Sequence, residues 1–142
     1  MTNERHDRLS EVLGLAEHAR ARAYAPYSGF AMGAAIVGAD GQLVEGVLVE
    51  NVSLGLSMCA ERVALYTAVT QGIRPVILAV CAPRTSGGLT FPCGACLQVA
   101  LEIAGAALTV VAVDPDGEHE SVALSSLLTR APKRHEPAAK SI

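Results

Sequence analysis

The hydrophobic and polar positions change period several times along the chain, and each change marks an element. Between Asp7 and Ala23 the apolar residues Leu9, Val12, Leu13, Ala16, Ala19 and Ala23 recur at helical spacing, the stripe of an amphipathic helix that Pro26 closes. From Phe30 the period shortens. Met32, Ala34 and Ile36 alternate with their neighbours, and Asp40-Gly41 marks a turn before Leu43 to Glu50, the pattern of a β-hairpin. Asn51 to Ser57 is rich in turn formers. Ser57 is placed to cap a second helix whose inward face carries Ala60, Val63, Ala64, Thr67 and Ala68, and Gly72 ends it.

Pro75 to Ala82 is an unbroken apolar, β-branched run, which predicts a central strand covered on both faces. After the loop from Pro83 to Thr90, a third helix starts near Pro92 and ends at Gly105, with Val99, Ala100 and Ile103 inward. Leu108 to Val113 repeats the buried-strand pattern, Asp114 to Gly117 turns, and Val122 to Leu128 forms one short strand or helix. A hairpin followed by alternating helices and strands predicts the α/β class, with a mixed sheet of about five strands between two helical layers. Residues 1–130 read as one domain and residues 131–142 as a mobile tail.

Composition narrows the function. Hydrophobic residues make up 51% and charged residues 18% of the chain, a balance that favours a buried globular core over disorder. No apolar run approaches the ~20 residues of a membrane span. The opening MTNERHDRLSEV lacks the apolar stretch of an export signal, so the expected compartment is the cytoplasm. A net charge of −3 and 4% aromatic residues leave neither a basic field for phosphates nor rings for stacking bases, and no polynucleotide partner is expected.

Four cysteines without an export signal imply reduced thiols used for metal binding or catalysis. Cys59-Ala60-Glu61 and Pro92-Cys93-Gly94-Ala95-Cys96 each fall at the start of a predicted helix, where free N–H groups and the helix dipole favour the thiolate that zinc requires. A Cys-x-x-Cys pair grips one metal at two points. A third thiolate, Cys59, leaves the fourth tetrahedral position to water, the mark of a catalytic rather than a structural zinc. Cys81 lies inside an apolar run and reads as core, and His6, His18, His119 and His135 stand in no motif. Zinc draws the pKa of bound water from ~15.7 toward ~7. Glu61, two residues beyond Cys59, is close enough to shuttle protons as general acid and base. A glutamate following the first ligand, joined to a later Pro-Cys-x-x-Cys, is the zinc deaminase signature.

With these words in place, the chain resembles the small cytidine deaminases over Ala25 to Leu128, most closely at Pro26-Tyr27-Ser28-Gly29-Phe30, Cys59-Ala60-Glu61-Arg62 and Pro92 to Gln98. The resemblance implies the three-layer deaminase fold, one zinc ion per chain on Cys59, Cys93 and Cys96, and Glu61 as proton shuttle. Hydrolysis would occur at C4 of a cytidine-like base, releasing ammonia and leaving a uridine. It further implies that Phe30 packs near the base, Glu50 bonds the sugar, backbone near Ala60 meets the amino edge, and Arg62 hydrogen-bonds a thiolate to offset surplus negative charge. A homotetramer is implied as well. Where the family shows Asn-x-Glu-Asn this chain reads Leu48-Val49-Glu50-Asn51; Leu54 replaces a frequent tyrosine, Leu97 a frequent second arginine, and a C-terminal aromatic is missing.

Three alternatives follow. The same chemistry could act on another aminopyrimidine, such as a nucleoside antibiotic resembling blasticidin S, because Leu48 cannot bond a ribose hydroxyl. A noncatalytic zinc module would need Cys81 as fourth ligand. A thiol redox protein would use Cys93 and Cys96 alone and leave Cys59 and Glu61 without purpose.

Overall fold

The computed structural model describes residues 3–133 and 135. Its elements are α1 (Asn3–Arg20), β1 (Gly33–Gly38), β2 (Leu43–Val47), a single 3-10 turn (Leu54–Leu56), α2 (Ala60–Thr70), β3 (Pro75–Cys81), α3 (Gly94–Ala104), β4 (Thr109–Val113), β5 (His119–Ala123) and α4 (Leu124–Leu127). Five strands form one sheet in the order β2-β1-β3-β4-β5. Only β3 and β4 run parallel; the other three pairings are antiparallel. The mixed α/β sheet expected from the sequence is present.

The layers follow from which side chains each strand sends to each face. Ala35, Val37, Ala79, Cys81, Val111 and Val113 meet Val12 and Ala16 of α1. On the opposite face Ala34, Ile36, Val44, Leu78, Val80, Val110 and Ala112 meet the other helices through Ala60, Ala64, Leu65, Ala68, Leu97, Ala100 and Leu124. Every residue of β1 is therefore buried. The alternation at Met32, Ala34 and Ile36 separates two covered faces, not core from solvent.

Several details depart from expectation. The first helix stops at Arg20, because the chain then turns so that Tyr24 bridges Val49; Ala23 joins the cluster on the other face of the sheet. Ser57 does not cap α2. Its hydroxyl accepts the Asn51 N–H at 3.0 Å, and Cys59 occupies the cap position without a side-chain cap bond. The inward residues of α2 are Ala60, Glu61, Ala64, Leu65 and Ala68, with Val63 and Thr67 only half-buried. The segment from Val122 to Leu128 divides between the end of β5 and the short α4. Of the predicted tail, residues 134 and 136–142 lie outside the described residues, and Pro132 is tied to α3 by Gln98 Nε2 at 3.3 Å.

The loop leading from β3 to α3 is anchored to the β4–β5 turn. Arg84 donates through Nε to Asp114 at 2.9 Å, through a second nitrogen to Glu118 at 2.7 Å, and through the third to the Gly87 carbonyl at 3.0 Å. Asp114 also accepts the N–H groups of Asp116 and Glu118 at 2.9 and 3.0 Å. Burial alone would raise the Asp114 carboxyl, but the Glu118 N–H, the Arg84 guanidinium and the Asp116 N–H together hold it below its ordinary value. A depressed folded value stabilises the protein above the unfolded pKa of about 4 and is lost as pH falls through the folded one. Asp114→Asn is accordingly expected to lower the urea midpoint at pH 7, with the gap to the native protein narrowing under acid; a gap independent of pH would refute the linkage.

Candidate metal centre

Two helix starts converge on the same point. Cys59 caps α2 and Cys93 caps α3, both in extended backbone conformations and neither spending its side chain on its own helix. Cys96 follows one turn into α3 and is fully buried. The three sulfurs lie within 4.8 Å of one another, and those of Cys93 and Cys96 are 3.5 Å apart. Among the described residues this is the one cluster of three or more potential metal donors. Zinc–sulfur bonds of about 2.3 Å set at tetrahedral angles require sulfurs about 3.8 Å apart, so the trio fits one zinc ion. Both helix dipoles present their positive ends there, which supports thiolates.

The electrostatics argue for the same ion. The Cys59 thiol is drawn down to about 5, first by the neighbouring Cys96 thiol and then, against burial, by Arg62, whose guanidinium donates to Cys59 Sγ at 3.5 Å. Cys96 is pushed well up, first by its hydrogen bond with Cys59, then by burial and by the charges of Glu61 and Cys59. Three clustered sulfurs cannot all ionise on their own, and a dication is the counter-charge that lets them.

Glu61 stands in the first turn of α2 and is 1% exposed, with no hydrogen-bond partner for Oε1 among the described residues. Its carboxyl is raised to about 7, chiefly by burial and secondarily by the Cys59 charge, while its own N–H, Cys96 and Arg62 pull the other way. A buried acid with an unanswered oxygen in an otherwise apolar helix face is costly to stability. Such a group belongs to a site that gives it something to do.

The remaining candidates are placed as follows. Ala60 is fully buried beneath the first turn of α2, between Cys59 and Glu61. Phe30 is half-buried and packs on the α2-side core. Glu50 accepts the N–H groups of Tyr27 and Ser28 at 2.9 and 3.2 Å and the Ser28 hydroxyl at 2.5 Å. The Ser28 hydroxyl, opposed by burial and aided by the two N–H groups, lowers the Glu50 carboxyl. Ser28 Oγ in turn accepts the Phe30 N–H at 3.0 Å, so one carboxylate fixes the turn that presents the ring. Sequence reading missed this tie, since its partners lie more than twenty residues apart. Leu48 is buried in the cluster that holds Ala60, whereas Leu54 is 82% exposed and Leu97 is buried. Cys81 lies on the α1 face, across the sheet from α2 and α3, and takes no part in the trio. That removes the fourth thiolate a closed structural site would need. His18 and His119 are exposed and join no donor cluster.

Fold and donors together define an α/β protein built around a three-cysteine metal centre. Residues 6–113 match the family described as the cytidine and deoxycytidylate deaminase zinc-binding region, and the chain belongs to that family. It is 40% identical over 113 residues to a cytidine deaminase of Halalkalibacterium halodurans, covering 80% of this chain and 85% of that one. It is 42% identical over 97 residues to a cytidine deaminase of Mycobacterium tuberculosis, covering 68% and 72%. Among solved structures, the cytidine deaminase of Burkholderia pseudomallei superposes with a TM-score of 0.80 at 41% identity, covering 86% of this chain and 97% of that one. No helix among the described residues is long and apolar enough to cross a membrane.

Proposed function

We propose that this chain is a zinc-dependent cytidine deaminase, converting cytidine or deoxycytidine and water to uridine or deoxyuridine and ammonia. The observation that carries the proposal is the trio of sulfurs beside a buried carboxyl whose Oε1 has no partner among the described residues. Cys59, Cys93 and Cys96 hold the ion, and Arg62 binds the Cys59 sulfur and offsets the surplus thiolate charge. Zinc supplies Lewis-acid activation of water at neutral pH. Glu61 takes up at Oε1 the proton released by the attacking water and gives it to the ring nitrogen, then takes the second proton from the added hydroxyl and gives it to the departing amino group, without which ammonia leaves poorly. Backbone beside Ala60 receives the amino edge, Phe30 packs on the base, and Glu50, locked by Tyr27 and Ser28, offers the remaining lone pair of Oε2 to the sugar.

A second substrate has one observation in its favour. Leu48 sits 8% exposed in an apolar cluster and can answer no sugar hydroxyl, so a different aminopyrimidine nucleoside, including an antibiotic of the blasticidin S kind, remains the competing reading. Ammonia release over cytidine, deoxycytidine, cytosine and modified cytosine nucleosides separates the two. Turnover of cytidine or deoxycytidine is the expected result, and turnover of modified nucleosides alone would defeat it.

Residues 1–130 are read as one catalytic domain acting in the cytoplasm, where the reaction fits pyrimidine salvage. Assembly as a homotetramer is supported by the exposure of Tyr24, Tyr27, Val52, Leu54 and Leu56, large apolar side chains that a monomer would leave in water.

A further inference from the structure

Gly46 lies on β2 opposite Ala34, facing the first turn of α2. A Cβ at this position would come within 2.5 Å of the Ala60 carbonyl oxygen, 2.5 Å of the Ala64 nitrogen and 3.0 Å of the Ala64 Cα. All three are backbone atoms, so no side chain can swing aside to make room. Gly46 is not among the glycines with positive φ, and its conformation alone does not demand glycine. The demand is for space: the helix rests with its backbone directly on the strand. Ala60 stands between Cys59 and Glu61, so the atoms in contact with Gly46 belong to the turn that carries one metal donor and the buried acid. The other two donors ride on α3, which packs mainly on α2, β3 and α4 rather than on β2.

We infer that Gly46 is a positioning residue for the metal centre: the absence of a side chain there sets the height of the α2 N-terminus above the sheet, and with it the distance of Cys59 and Glu61 from the Cys93–Cys96 pair. The inference rests on the proposed zinc function. An added methyl group lifts the start of α2 from the sheet, while the contacts of α3 with β3 and α4 hold Cys93 and Cys96 back, pulling Cys59 out of tetrahedral reach.

Gly33 supplies the control. On the other face of the sheet its Cβ would come within 2.2 Å of the Arg20 nitrogen and 2.3 Å of the Ala16 oxygen, a clash at least as severe against α1, which carries no site residue. Gly33→Ala and Gly46→Ala are compared with the native protein by thermal unfolding and by titration of the folded, metal-stripped proteins with Co2+, read from sulfur-to-cobalt absorption. Both variants are expected to lose thermal stability. Only Gly46→Ala is expected to bind Co2+ about tenfold or more weakly, with an altered absorption band and a fall in kcat rather than a rise in KM. Native Co2+ affinity and band in Gly46→Ala, or an equal loss in Gly33→Ala, would overturn the inference. If Gly46→Ala yields no folded protein where Gly33→Ala does, the glycine serves the fold and not the metal centre in particular, and the inference is overturned. Failure of the native protein to bind Co2+ or zinc, or to deaminate any cytosine nucleoside, would instead count against the proposed function.

Discussion

Glu61→Gln is expected to lower turnover by about 10²–10⁴-fold, the usual contribution of a positioned general acid and base. That corresponds to about 3–5 kcal/mol of transition-state stabilisation. Glutamine keeps the shape of the buried side chain but can neither accept nor release a proton, so zinc content and substrate affinity should change little. The fold should tolerate the change well, and even gain from it, because burial already raises the Glu61 carboxyl to about 7 and a neutral amide suits that environment better than a carboxylate. Steady-state kinetics, zinc analysis and thermal unfolding of the same preparation check all three. A stable, zinc-loaded variant with native turnover would show that the proton moves elsewhere.

Loss of a thiolate should act on the ion itself. Cys59→Ser, Cys93→Ser and Cys96→Ser are each expected to purify with little zinc and to be inactive, since two thiolates and a hydroxyl hold the metal far more weakly. Where free zinc stands about 1,000-fold above the native dissociation constant, the linked stabilisation is about 4 kcal/mol, and each variant should lose most of it. Cys81→Ser serves as the contrast. Its side chain is fully buried across the sheet, so it should cost some stability through core packing while keeping its zinc. Loss of zinc from Cys81→Ser with retention in Cys93→Ser would reverse the assignment of ligands.

The parts that could be read from the sequence were those written in adjacent residues. Cys59-Ala60-Glu61 and Pro92 to Cys96 sit at helix starts, where spacing alone pairs Cys93 with Cys96 and sets Glu61 beside Cys59, and the apolar runs of β3 and β4 declare their burial. The phase of α2 was hidden. Ala60, Val63, Ala64, Thr67 and Ala68 make an acceptable helical stripe, but the face that packs turns by about one residue to bury Glu61 and Leu65 instead. Hydrophobicity steers such a reading away from the acid, and the mismatch marks where function overrides packing preference. Equally unreadable were contacts between distant segments: the Ser57 hydroxyl diverted to Asn51, the Glu50 carboxylate committed to Tyr27 and Ser28, and the Arg84 anchor on Asp114. The close approach of Gly46 to α2 depends on strand height and helix register, neither of which a one-dimensional pattern encodes.

The leucines at 48, 54 and 97 differ in what they change. Leu97 is buried, leaving Arg62 as the cation that touches a sulfur of the trio among the described residues. Leu54 faces solvent, so its effect on substrate choice depends on what covers the 3-10 turn. Leu48 bears most directly on specificity, because its side chain packs in the same cluster as Ala60.

X-ray absorption at the zinc edge of the native, ligand-free protein tests the metal centre most directly. Three sulfur scatterers at about 2.3 Å and one oxygen or nitrogen at about 2.0 Å are the predicted shell. Four sulfurs, or a shell with fewer than three, would contradict it.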